Sequence, residues 1–161
     1  MLVPFAQFFP ELAFDECRFI YFVPDGATGG IEDADECLAL IEHYCPDPKC
    51  DCRRVMLQVI SQQLQQPVCS INYAFDRDDP CAGPFIDPLN PAVAHAEKVL
   101  EFVESRVLND PDYVARLETH YRLLKEAVRR GRVIATPEHA REVIAEKRQR
   151  LRKRHRALKR K

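Results

Sequence analysis

Three of the chain's seven cysteines fall within eight residues, Cys45-Pro46-Asp47-Pro48-Lys49-Cys50-Asp51-Cys52. The run lies between two β-branched, apolar stretches, so it reads as the loop joining two strands. A hairpin tip brings the end of one strand and the start of the next to one point, which gathers the three thiols of a C-x4-C-x-C spacing. A soft cation such as zinc takes about four N or S ligands at roughly 2.0 to 2.3 Å. The two prolines stiffen the loop and lower the entropy lost when it closes on a metal. Arg53 and Arg54 follow at once, and their guanidinium groups can offset the charge of zinc-bound thiolates. Two other readings stay open: buried thiols acting as small core residues, and a redox or disulfide switch.

The rest of the chain frames that loop. Its 161 residues, 46% apolar and 30% charged, suit one domain with a real core. No apolar run reaches the roughly 18 residues of a membrane span. Met1 to Phe14 has no basic flank and is broken by Pro4 and Pro10, so it does not read as a signal peptide. With an odd cysteine count, this predicts a reducing, cytoplasmic setting. The phosphate-binding, dinucleotide-binding and hydrolase-elbow signatures are absent.

Strands are predicted at 17–23, 37–45, 53–61 and 68–75, as an antiparallel meander. The second also fits a helix face through Ala34, Leu38, Ile41 and Cys45. A turn is expected at Asp25 to Gly30, and loop from Asp76 to Pro91. Three helices follow. The first is expected to start at Asn90-Pro91 with a stripe of Val93, Ala96, Val99, Leu100, Val103 and Val107. The second starts at Asp110-Pro111, carries Val114, Leu117, Tyr121, Leu124 and Val128, and ends at Gly131. The third starts at Thr136-Pro137. Sheet first and helices after gives an α+β fold: residues 1–135 as one domain carrying the cysteine hairpin, and 136–161 as a basic helical tail. The N-terminal aromatics Phe5, Phe8, Phe9 and Phe14, with Phe19, Tyr21 and Phe22, are expected to pack as core.

A fourth ligand follows from this topology. The meander returns its last strand to the cluster's edge, so Cys81 is the first choice, Cys17 the second, and His95 or His120 the third. Cys37 and Cys69 start strands at the other edge and read as core thiols. His43 is expected to pack, and His120 to be a hydrogen-bonded core or rim residue. Asp76, Asp78 and Asp79 lack the alternation, central glycine and closing glutamate of a calcium loop, and read as turn chemistry.

Charge is uneven. Lys147 to Lys161 holds ten Lys or Arg and no acid, which leaves 14 basic against 25 acidic residues in the body. Such a tail either seeks a nucleic acid or another anionic partner, an acidic protein for example, or folds back on its own acidic body.

The run Tyr44-Cys45-Pro46-Asp47-Pro48-Lys49-Cys50-Asp51-Cys52-Arg53-Arg54-Val55 resembles one in uncharacterised bacterial proteins, some of which sit beside small SEC-C zinc modules. Pro84 to Pro91 and His120-Tyr121 are similar to the same group, so the resemblance spans about residues 11–130. It implies a metal-binding module and no substrate. The second, C-x-C-containing cluster of a SEC-C segment is absent here, and the basic tail stands at that end. Three functions are therefore expected in turn: a non-enzymatic zinc module at Cys45, Cys50, Cys52 and Cys81; a nucleic-acid or anion-binding protein using the tail; and a metal-dependent hydrolase, which needs an open coordination position and a base.

Overall fold

The computed structural model describes residues 2–22, 36–76 and 78–159. The chain opens with a short strand β1 (Val3–Pro4), a 3-10 turn (Phe5–Gln7) and helix α1 (Pro10–Glu16). Strands β2 (Arg18–Phe22), β3 (Glu36–Tyr44), β4 (Arg54–Ser61) and β5 (Gln66–Ala74) pair in turn as an antiparallel meander, and β6 (Phe85–Ile86) joins the edge of β5. Helices α2 (Ala96–Val103), α3 (Pro111–Arg129) and α4 (Pro137–Leu158) follow. The fold is α+β, as the pattern predicts. The expected turn at 25–30 lies outside the described residues.

Alternation decides which face is buried. Leu38, Leu40 and Tyr44 of β3 point the same way as Val55, Leu57 and Val59 of β4 and Cys69 and Ile71 of β5, through pairings such as Leu40 with Val59 and Leu57 with Ile71. All are buried, in one cluster with Val99 and Val103 of α2 and Leu117 and Leu124 of α3. In β2 the same rule buries Ile20 and Phe22 and leaves Phe19 and Tyr21 exposed, at 52% and 74%. The aromatic set is therefore split: Phe5, Phe8 and Phe22 are core, while Phe19 and Tyr21 are surface.

Two helix starts behave as expected and one does not. The Asp110 carboxylate accepts the Asp112 and Tyr113 N–H groups, with Pro111 in the first turn. Thr136 Oγ1 accepts from His139 N at 3.2 Å. Gly131, at φ +73°, closes α3: its N–H donates to Val128 O and that of Arg132 to Ala127 O, a Schellman motif. The helix expected from Pro91 instead begins at Ala96. Val93 donates its N–H to Val68 O of β5, and the Asp87 carboxylate accepts from Leu89 N, so 91–93 is not helical. The N-terminal β1, 3-10 turn and α1 are elements the sequence pattern did not reveal.

β3 has a divided outer edge. β1 pairs with it at Tyr44 and His43, and β2 from Leu40 to Glu36. Between these pairings the chain detours through the 3-10 turn and α1. A polar node sits under that detour. Glu42 Oε2 accepts from the Tyr44 hydroxyl at 2.9 Å and faces His120 Nδ1 at 2.6 Å, while His120 Nε2 faces Glu16 Oε2 at 3.1 Å. The Phe5 ring stacks on the His120 ring with centroids 4.2 Å apart. One imidazole thus ties α1, β3 and α3 together.

Gly83, at φ +76°, lies beside β5, and a Cβ there would stand 2.6 Å from the Asn72 carbonyl oxygen. Gly83→Ala is expected to cost about 1–3 kcal/mol, from positive φ and overpacking together, read as a lower urea midpoint at unchanged slope.

Candidate metal centre

The cysteine loop is the connection between β3 and β4. Cys45 follows the last residue of β3, and Cys52 stands two residues before β4. Asp47 shapes the turn: its carboxylate accepts Lys49 N at 2.9 Å and its carbonyl accepts Cys50 N at 3.2 Å. The Cys52 N–H donates to Cys50 Sγ at 3.4 Å. The sulfurs of Cys45, Cys50 and Cys52 all lie within 4.8 Å of one another, and all three residues are half-buried. Tetrahedral zinc with bonds near 2.3 Å sets its sulfurs about 3.8 Å apart, so a small closure suffices. The three cysteines form a cluster able to hold a metal ion.

The loop is pinned from below by a residue the sequence reading missed. Lys125 of α3 is 4% exposed, and its ammonium donates to Asp47 O at 2.7 Å and Cys50 O at 2.6 Å. Nothing in the local pattern marks it, because the contacts span 78 and 75 residues. Arg53 and Arg54 are engaged elsewhere: Arg53 with Glu118 at 3.6 Å, and Arg54 with both oxygens of Asp79. Lys125 is thus a cation pressed onto the thiol loop, whereas the sequence pointed only to the two arginines. Lys125→Met leaves two carbonyls without their donor. It is expected to cost about 2–4 kcal/mol of stability, measured by urea unfolding.

The thiols are not equivalent. Hydrogen bonds from the Cys52 side chain and backbone, helped by Lys125, pull the Cys50 pKa down. Burial, and its hydrogen bond to Cys50, push the Cys52 thiol up to about 12. In the Cys50–Cys52 pair Cys50 is the acceptor, and its thiolate is the one the pair favours. Burial also raises the Tyr121 hydroxyl, with Cys52 and Cys50 adding to the effect, and the Lys125 ammonium lies 5.5 Å from its ring centroid.

The other expected ligands fall in different places. Cys81 is exposed, in the loop after β5, and is not among the three clustered sulfurs. Its N–H donates to Asp79 Oδ1 at 2.9 Å. Burial disfavours the Arg54 charge, but hydrogen bonds to Asp79 and Cys81 outweigh this and raise its pKa. Cys81 therefore shares a guanidinium with the start of β4. Cys17 lies just before β2, whose first residue pairs with Leu40, several residues short of the loop. Its thiol faces the Leu40 carbonyl, and burial pushes its pKa up to about 11. His95 precedes α2 and stacks on Phe22, and His120 belongs to the node with Glu42 and Glu16. His43 packs, with Nδ1 3.1 Å from Ile41 O, and burial lowers its pKa. Cys69 is fully buried in β5, and Cys37 is half-buried in β3. Asp76 and Asp79 make turn bonds to Asp78 N and Cys81 N.

Comparison with protein families, with curated proteins and with solved structures finds no match to this chain. Among the described residues, no helix is long and apolar enough to cross a membrane.

Proposed function

We propose that this chain is a non-enzymatic zinc module in which Cys45, Cys50 and Cys52 hold the ion and Cys81 completes its shell. The observation that carries the reading is the approach of three sulfurs to within 4.8 Å at the tip of one hairpin. Cys81 is supported as the fourth ligand because its N–H donates to Asp79, whose carboxylate holds Arg54, two residues from Cys52. The ion would clamp the β3–β4 connection and add its binding energy to folding. Three or four thiolates donate charge to zinc and blunt it as a Lewis acid, which favours a structural role over a hydrolytic one.

The test is elemental analysis of protein purified without added metal, beside Cys50→Ser and Cys81→Ser variants. The expected result is about one zinc per chain, lost or weakened in both variants. Zinc lost with Cys50 alone moves the fourth ligand away from Cys81. Metal-free protein with freely titratable thiols overturns the reading.

A further inference from the structure

α4 divides into a seated half and a free half. In the seated half Ala140 is 4% exposed, Lys147 bonds the Asp15 carboxylate and the Glu11 carbonyl, and Arg150 pairs with Glu11 at 2.9 Å. Those contacts take up two of the tail's ten cations. Arg148, Arg152, Lys153, Arg154, Arg156 and Lys159 are exposed and have no ion pair among the described residues. At 100° per residue, Arg148, Arg152, Arg156 and Lys159 fall in one stripe, with steps of about 6 Å between the arginines. Lys147 and Arg150 lie on the other side, toward α1.

The geometry points to the free cations from Arg148 to Lys159, in the distal part of α4 and just past it, as an arm that binds the phosphodiester backbone of a nucleic acid without reading its sequence. An interfacial membrane helix needs a broad apolar face, and between Arg148 and Arg156 the only large apolar residue is Leu151. A protein interface draws its energy from a buried aromatic or aliphatic centre, which this stripe also lacks. A phosphate backbone needs neither, because released counterions supply the affinity. The acidic body, with 25 acidic residues, repels the same polymer and confines the contact to the arm.

The inference stands apart from the metal reading and is tested on the full chain. A labelled short DNA duplex, a single-stranded RNA and polyglutamate are titrated by fluorescence anisotropy across a salt series. Six phosphate contacts predict a loss of affinity of about 10³-fold between about 50 and 200 mM salt. Arg152→Gln, Lys153→Gln and Arg156→Gln together are expected to lower the log–log salt slope by about 3, with circular dichroism unchanged. Tighter binding to RNA than to DNA, or the reverse, supports the arm and names its polymer. Equal binding to polyglutamate at matched charge overturns it in favour of an acidic protein partner. No nucleic-acid binding at low salt, or unchanged affinity in the triple variant, also overturns it.

Discussion

For the zinc site proposed above, stripping the metal from the purified protein with a strong chelator is expected to lower its unfolding midpoint by about 20 °C or more. Structural zinc in small sites contributes on the order of 10 kcal/mol, and a chain of this size shifts by roughly 2–4 °C per kcal/mol. Part of the loop's order is kept without the ion, because Lys125 still holds the Asp47 and Cys50 carbonyls. Calorimetry of the metal-loaded and stripped protein, with zinc added back, measures the effect. The largest gain in amide exchange should lie at Cys45 to Arg54, with Leu57 and Ile71 still protected by the core. A midpoint that ignores both chelation and zinc would sink the structural role. Acid should release the ion as well, since its ligands bind as thiolates and protons compete for them.

His120→Ala is the second substitution with a large expected effect, about 3–5 kcal/mol of stability. His120 is 2% exposed and Glu42 9%, so removing the imidazole strands a buried carboxylate whose remaining partner is the Tyr44 hydroxyl. The stacking of Phe5 is lost too, leaving a cavity under the N-terminal detour. Adding Glu42→Gln should recover part of the loss, because it removes the uncompensated charge. A double-mutant cycle in urea would show this coupling as a clear departure from additivity. Two simply additive losses would mean that the node is not one unit. The metal content of His120→Ala should stay at its wild-type value, since the imidazole is engaged with Glu42 and Glu16 rather than with the cysteine loop.

What the sequence revealed and what it hid divide by distance along the chain. The meander was legible because each strand alternates locally and each neighbour follows in order. The three clustered cysteines were legible because eight residues between two strands leave them little room to separate. The fourth ligand depends on how the loop after β5 falls against β4, and no local pattern encodes that. α3 shows the same limit. Its expected stripe ran through Val114, Leu117, Tyr121, Leu124 and Val128, whereas the buried row is Tyr113, Leu117, His120, Leu124 and Ala127, with Lys125 beside it. His120 sits in the core on hydrogen-bonding partners, Glu42 and Glu16, as expected of a core or rim histidine, whereas Lys125 looks like a surface residue by type and is buried because the Asp47 and Cys50 carbonyls meet it. Asn90-Pro91 and Asp110-Pro111 look alike as helix starts, yet only Asp110 caps one here, while Val93 beyond the first bonds Val68 of β5.

The two covers on the outer edge of β3 differ in how far along the chain their contacts reach. β3, β4 and β5 are joined by short connections, so they can zip together early, at little loop-closure cost. The N-terminal segment docks onto an imidazole 104 residues away from Glu16, which only a formed α3 can present. Where that contact is missing, the end of β3 that β1 covers is an open template for a strand from another chain. β1 and β2 are in this sense guards against polymerisation: each covers one end of the edge, and the helix between them lets one short segment cover both.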